Sequence, residues 1–290
     1  MARGEQLRIA HCIYLPAVTW RELDVDQRFR AVVHAAALRY PHEVFSHLSA
    51  AALWRMPSTE PWPTLAQALV VKASGGRSRR GLVRHATHTR SDVVVVDGVR
   101  VTGLAATVVD VAMAAVMTQA VAIADRALGT PERAAAGLDA VRTSRDELWR
   151  EGYARARVVP ARCRRVLEFA DGRSGSAGES VSRVAIRMLG FADPELQWEF
   201  VDRKGSIGRV DFWWPDSGVV GEFDGHGKYL NATLRAGRSV AEVIVDEKRR
   251  EDRLRACPNV RTVTRWEWRD ARTLRLLDAQ LRAAGVARRR

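Results

Sequence analysis

A short stretch in the second half of the sequence concentrates carboxylates beside a lysine. It contains Asp211, Glu222, Asp224 and Lys228. Residues two positions apart in a β-strand point to the same face, so Glu222 and Asp224 are predicted to share one face. A turn-forming segment at 215–218 separates two strand-like runs, which predicts an antiparallel hairpin that brings Asp211 near Glu222.

Carboxylates this close together repel one another unless a cation neutralises them. Hard oxygen ligands suit Mg²⁺ or Mn²⁺ better than Zn²⁺, and such an ion activates water and stabilises charge on a phosphate. The alternative is a hairpin with solvated acids, which is the usual explanation of any isolated Asp or Glu. The apolar neighbours Val219, Val220 and Phe223 favour the metal site, because an unpaired Glu222 in a central strand is costly.

Two predicted helices flank this hairpin. Apolar residues recur with the helical period over 179–189, and Gly190 ends the run. Glu179 lies in the first turn of this helix, where an acid also favours the helix dipole without binding a ligand. The helix predicted over 243–254 carries a cluster of cations that either face solvent or hold phosphates. These cations are Lys248, Arg249, Arg250, Arg253 and Arg255.

Further motifs accompany the acids: 178–180, 208–212, 221–225, 247–254 and 265–268. The segment 176–270 that holds them resembles the PD-(D/E)xK nuclease superfamily, in the branch similar to very-short-patch-repair endonucleases. The resemblance implies a restriction-endonuclease-like mixed sheet flanked by helices. It also implies that Asp211 and Glu222 bind the metal and that Glu179 completes the acidic cluster. Asp224 stands where the superfamily has its catalytic lysine, and Lys228 is the candidate substitute.

The composition favours an anionic partner. The 47 Lys and Arg residues outnumber the 34 Asp and Glu residues, which gives a net charge of +13 and a pI near 10.7. Such an excess suits nucleic acid, although an arginine-rich composition arises from a GC-rich genome as well. The cysteines, three in number and without metal-ligand spacing, predict a reduced cytoplasmic protein. No apolar run is long enough to span a bilayer, so no membrane partner is expected.

A Gly- and Ser-rich segment at 171–178 predicts a boundary between two domains, 1–170 and 171–290. In the first domain, helices predicted at 27–39, at 47–54 and from 105 onward alternate with short strands at 68–71, 82–85, 93–96 and 99–102. The runs 45–54, 97–102 and 106–112, together with Arg84 and His85, resemble the AbiEi-type antitoxin and regulator family over residues 27–130. The resemblance implies an α+β regulator-like domain with a toxin or regulatory partner.

A basic loop interrupts this first domain. Its cations, Arg77, Arg79 and Arg80, are candidates for binding DNA phosphates without regard to sequence, and a solvated loop would have the same composition. Two functions follow as hypotheses. One is a Mg²⁺-dependent DNA endonuclease. The other is a non-catalytic DNA-binding regulator or type IV antitoxin-like protein that retains a nuclease fold.

Overall fold

A computed structural model describes residues 5–71, 79–87, 91–130, 142–156, 158–225 and 240–289. The chain is mixed α/β and divides into two compact units, Met1–Gly172 and Arg173–Arg290. The division falls two residues after the end predicted for the first domain. Among the described residues, no helix combines the length and apolarity needed to cross a membrane.

The first unit begins with a hairpin and continues with helices around a mixed sheet. The hairpin strands pair antiparallel, and the sheet has the strand order β5-β4-β3-β7-β6. In chain order its elements are β1 (Gln6–Ala10), β2 (Ile13–Pro16), α1 (Ala17–Glu22), α2 (Val25–Arg39), β3 (Val44–Phe45), α3 (His47–Leu53), β4 (Ala66–Val71), β5 (Leu82–Thr87), β6 (Val93–Val96), β7 (Val99–Thr102), α4 (Leu104–Ala114), α5 (Met117–Leu128), α6 (Arg145–Arg155) and α7 (Ala161–Phe169).

Local sequence explains several of these elements. Helix α2 begins at a capping box, in which the Asp24 side chain accepts a hydrogen bond from the Gln27 N–H at 2.7 Å and Gln27 returns the bond to the Asp24 N–H. Strands β6 and β7 have the predicted bounds and pair antiparallel around Asp97 and Gly98, whose φ angles of 48° and 77° suit a two-residue hairpin turn. The apolar run at 104–124 forms two helices, α4 and α5.

The second unit is a four-stranded sheet between helices. The strand order is β11-β10-β9-β8, with antiparallel pairing from β8 to β10 and parallel pairing of β10 with β11. The final strand, β11, lies at an edge of the sheet. The elements are α8 (Ala177–Met188), β8 (Glu195–Asp202), β9 (Gly205–Trp214), β10 (Val219–Phe223), α9 (Val240–Arg255), β11 (Thr262–Trp266), α10 (Trp268–Arg272) and α11 (Leu274–Ala284).

Apolar side chains cover both faces of this sheet. One cluster joins Phe212 and Phe223 to Val181 of α8, and the other joins Trp213 and Val220 to Leu254 of α9. Helix α8 lies very close to the sheet, since a Cβ added at Gly178 would be 2.0 Å from the Phe223 ring. The sheet therefore holds α8 and α9 against different apolar clusters, and the polar residues between them are fixed by packing.

Candidate functional site

Glu179 is anchored at the beginning of α8. The Ser176 side chain caps the helix by accepting a hydrogen bond from the Glu179 N–H at 3.2 Å. In return, Ser176 Oγ donates to Glu179 Oε1 at 2.9 Å, and the Gly175 N–H donates to Oε2 at 2.7 Å. Glu179 is only 4% exposed. The carboxylate is thus held in one orientation by the helix that carries it.

Asp211 is joined to Glu179 through an amide side chain. Gln197 Nε2 donates to Glu179 Oε2 at 3.0 Å and to Asp211 Oδ1 at 3.2 Å. The other Asp211 oxygen accepts the Phe223 N–H at 2.8 Å. Main-chain pairing of β9 with β10 ends at Phe212 and Gly221. Beyond that pair, the Phe223 N–H donates to the Asp211 side chain. Gln197 has a φ of 53°. The register of β8 with β9 pairs its neighbours, Leu196 with Phe212 and Trp198 with Val210, and does not include Gln197 itself.

Glu222 has different partners. Its two oxygens accept hydrogen bonds from Arg250 at 2.5 Å and from Arg265 at 2.9 Å. Arg265 lies directly opposite Glu222 in the parallel register of β10 with β11. Glu247 completes the network by bonding Arg250 at 3.0 Å and Arg265 at 2.6 Å. Burial lowers the Arg250 pKa, but hydrogen bonds to Glu247 and the charge of Glu222 outweigh it and raise the pKa overall.

The predicted acids are therefore brought together only in part. Glu179 and Asp211 share Gln197, whereas Glu222 is bound by arginines, and no group of three acid, His or Cys side chains among the described residues is arranged to hold a metal. Asp224 follows the end of β10, where its N–H donates to the Trp266 carbonyl at 2.8 Å. Lys228 lies outside the described residues.

The cations predicted to bind phosphate on α9 have different environments. Lys248 and Arg249 are exposed, and Arg249 lies 3.7 Å from Asp246 in a solvent-facing pair of low expected strength. Arg253 instead makes two hydrogen bonds to Asp202, at 2.8 and 2.7 Å. These bonds hold the Asp202 pKa at about 2. The solvent-facing cations of the predicted set are thus Lys248, Arg249 and Arg255, of which Arg255 pairs with Glu251 at 2.6 Å.

Only the end of the basic loop of the first unit, from Arg79 onward, lies among the described residues. Arg77 lies outside the described residues. Arg79 lies 3.7 Å from Glu43, and its guanidinium stacks over the Tyr40 ring at 5.6 Å. The Arg80 carbonyl accepts a hydrogen bond from the Tyr40 hydroxyl at 2.9 Å. One of the two described cations therefore has an acidic neighbour.

A buried polar cluster in the first unit was not predicted as a group. The rings of His47 and His85 stack with centroids 3.8 Å apart, and His47 Nδ1 is 3.9 Å from an Asp110 oxygen. Arg155 lies 3.2 Å from the other Asp110 oxygen. Burial, with the neighbouring His85 and Arg155, lowers the His47 pKa to about 3, and burial raises the Asp110 pKa to about 7. No spacing in the sequence indicates this cluster, because its members come from four separate elements.

Sequence reasoning also missed the partners of the candidate acids. A signal for the arginine network exists in α9, where Glu247, Arg250 and Glu251 recur at the three- and four-residue spacing of one helical face. No such signal marks Gln197. Its importance depends on a strand register that only the folded sheet defines.

Comparison with known proteins gives relatives over part of the chain. Two proteins described as uncharacterized, from Mycobacterium tuberculosis strains CDC 1551 / Oshkosh and ATCC 25618 / H37Rv, are each 33% identical over 138 residues. The match covers 43% of this chain and 50% of each relative, so the chain spans about half the length of the relatives it matches. No model of a known protein family matches the chain. No solved structure matches it.

Proposed function

We propose that the second unit is a Mg²⁺-dependent nuclease that hydrolyses DNA phosphodiester bonds. One observation carries the proposal: Glu179 from a helix and Asp211 from a strand converge on the same Gln197 nitrogen. Two acids from separate elements are thus held close to one side-chain nitrogen, with Glu179 buried and Asp211 half-buried. A cation bound by both carboxylates would make such a pair useful for chemistry.

The donor set fits magnesium. Mg²⁺ is commonly bound by one or two carboxylates together with waters and substrate phosphates. Glu179 and Asp211 supply two hard carboxylates, and the polarised N–H₂ group of Gln197 already lies between them. When bound, a divalent cation there stabilises negative charge on the phosphate and makes water a better nucleophile.

The protein's own contribution is orientation and charge. The Phe223 N–H fixes Asp211, and the first turn of α8 fixes Glu179, so little reorganisation is needed when substrate arrives. The exposed cations Lys248 and Arg249 bind the phosphate backbone from the surface of α9. The net charge of +13 supports an anionic substrate of this kind.

The arginine partners of Glu222 favour a second function. Both of its oxygens are bound by arginines, so the acid expected to pair with Asp211 at the metal is engaged elsewhere. A protein that keeps the nuclease-like sheet as a scaffold has no need of a third metal-binding carboxylate. The rival proposal is a non-catalytic DNA-binding regulator or type IV antitoxin-like protein.

Cleavage of supercoiled plasmid in Mg²⁺ or Mn²⁺ tests the nuclease. We expect Asp211→Asn and Glu179→Gln each to lower the rate at least about 100-fold, since each removes a proposed metal ligand. The matched control is Asp216→Asn, which removes the same charge from an exposed position in the turn after β9. Equal rates in all variants would exclude the assignment.

Binding in EDTA separates the two proposals. Retention of labelled DNA without metal, combined with no cleavage of single-stranded, double-stranded or plasmid DNA in Mg²⁺ or Mn²⁺, would favour the regulator. A parallel reaction with RNA of the same sequence shows whether the 2′-hydroxyl matters to the site.

A further inference from the structure

A cationic cavity opens in the first unit. Its volume is about 240 Å³. Arg8 of β1, His11 of the following turn, Arg39 at the end of α2 and Arg80 contribute its charged wall. The remaining wall is largely apolar and includes Ile9, Val32, Ala36 and Leu65. The cavity thus combines three guanidinium groups with a surface that suits an organic moiety.

The charge of this wall is not balanced within the cavity. Among the described residues that line it there is no Asp or Glu. An adjoining cavity, which shares Arg39 and Tyr40, contains Glu43 at 3.7 Å from Arg79 and 3.4 Å from Arg84. Repulsion by Arg39, then burial, then repulsion by Arg8 and Arg80 lower the His11 pKa, which is consistent with a positive potential in the first cavity.

Hydrogen bonds position the cavity wall. The Tyr40 hydroxyl accepts from Arg39 Nε at 3.0 Å and donates to the Arg80 carbonyl at 2.9 Å. Arg80 lies in a tight turn closed by two main-chain bonds between Arg79 and Leu82, with Gly81 at a φ of 80° that favours glycine. Arg8 Nε bonds the Ala10 carbonyl at 3.3 Å. The charged wall is therefore partly ordered before any ligand arrives.

We propose that this cavity binds a phosphate monoester group. Guanidinium forks match phosphate oxygens in a bidentate manner, and a dianionic monoester compensates several cations better than a diester does. The volume is below the range of about 300–1,000 Å³ that holds drug-sized ligands, so the cavity takes the phosphoryl group and only part of its ester. The ester is either a free nucleotide or the 5′-phosphate end of a nucleic acid. The site is independent of the proposed nuclease chemistry.

Calorimetry on the full chain tests the proposal with probes that differ in one group. The small probes are inorganic phosphate, adenosine 5′-monophosphate and adenosine. The larger probes are one DNA oligonucleotide with a 5′-phosphate and the same oligonucleotide with a 5′-hydroxyl. Arg8→Gln and Arg80→Gln remove exposed cations from the wall. Arg55→Gln is the matched control, because Arg55 is an exposed cation of the same unit that pairs with Asp97 at 2.7 Å.

We expect adenosine 5′-monophosphate to bind and adenosine not to bind. Arg8→Gln and Arg80→Gln should each weaken binding at least about tenfold, and Arg55→Gln should leave it nearly unchanged. Proton NMR should show the His11 pKa rising when inorganic phosphate is added, because an anion offsets the arginines. Equal binding of adenosine and its monophosphate, an equal loss in Arg55→Gln, or an unmoved His11 pKa would each overturn the proposal.

The oligonucleotides identify the source of the phosphate. A phosphorylated end that binds at least about tenfold more tightly than both the 5′-hydroxyl strand and the mononucleotide supports a nucleic-acid end. Equal affinity for the mononucleotide and the phosphorylated strand supports a free nucleotide. Equal affinity for the two strands, with no mononucleotide binding, would show that only the phosphodiester backbone is bound and would overturn the proposal.

Discussion

Glu222 and Asp211 lie on neighbouring strands of one sheet, yet they are stabilised in different ways. Glu222 is bound by two guanidinium groups, which cancel its charge. Asp211 accepts hydrogen bonds from a side-chain amide and a main-chain N–H, both of which are neutral. A carboxylate paired with arginines is satisfied without a metal, whereas a carboxylate that accepts hydrogen bonds from neutral donors is the better candidate ligand for a cation. The partner of a buried acid therefore indicates its role better than its sequence position does.

Metal binding gives the largest expected contrast between the two acids. Manganese titrated calorimetrically should bind the wild type, and Asp211→Asn or Glu179→Gln should weaken it at least about tenfold. Glu222→Gln should change the affinity much less, because its carboxylate is occupied by arginines. Loss of manganese binding in folded Glu222→Gln would show that the arginines give way to metal, and the contrast would then be wrong.

Asp110 tests whether one guanidinium is enough to neutralise a buried acid. The Asp110 pKa is about 7 in the folded protein, above the ordinary 3.8. Between these values the folded protein keeps a proton that the unfolded chain has lost, so the free energy of unfolding falls as pH rises. His47 has the opposite sign: its pKa is about 3 against an ordinary 6.5, so its contribution to stability rises with pH through that window. The effects oppose each other between pH 3.8 and 6.5.

Single variants should separate these two slopes in urea unfolding curves. In Asp110→Asn only His47 of this pair still titrates, so the free energy of unfolding should rise by up to about 1.4 kcal/mol per pH unit. His47→Asn leaves Asp110, and stability should fall by a similar slope. His85 stacks on His47, Arg155 lies 3.2 Å from Asp110, and both residues remain in both variants. Parallel slopes in the two variants would mean that Arg155 keeps Asp110 ionised.

The arginine network predicts a stability effect without a metal effect. Arg250→Gln leaves the Glu222 carboxylate short of one partner at a position where its side chain is 12% exposed. Unfolding free energy should fall by about 2–3 kcal/mol, and Glu222→Gln in the same chain should restore part of it. Arg249→Gln, at the exposed neighbouring position, should change stability by no more than about 0.5 kcal/mol.

Gln197 gives the smallest expected effect. Gln197→Ala removes the amide between Glu179 and Asp211, so it should cost about 1 kcal/mol of stability in EDTA. Addition of Mg²⁺ should recover this loss, because the cation replaces the missing donor. A variant that stays equally destabilised in saturating Mg²⁺ would argue that the acid pair does not take a cation.

Local patterns predicted much of the secondary structure. The 3.6-residue period identified α8, the Asp97-Gly98 turn identified the β6–β7 hairpin, and the 215–218 turn identified the antiparallel pairing of β9 with β10. The strand Glu195–Asp202 was not predicted, and neither was the β1–β2 hairpin. Regular alternation in the former is interrupted at Gln197, which has a positive φ, and the register of β8 with β9 shifts between Phe200 and Val201.

Side-chain partners were harder to predict than elements. Glu222 was expected beside Asp211 because their strands are neighbours, but Glu222 bonds to residues 28 and 43 positions later in the chain. The register of β10 with β11 decides the contact with Arg265, the packing of α9 decides the contact with Arg250, and no local propensity encodes either. Arg253 was expected to bind phosphate, and its pairing with Asp202 likewise spans 51 positions. Composition shows that cations are present, while long-range packing decides which of them have acidic partners.

The parallel pairing that places Arg265 opposite Glu222 has a consequence for synthesis of the protein. Parallel strands require a crossover, and here α9 lies within it. A nascent chain that has emerged only through β10 exposes an apolar strand carrying Glu222, whose two arginine partners have not yet left the ribosome. The sheet is completed only after residue 266 leaves the ribosome, so this unit cannot finish folding while only its first three strands have emerged.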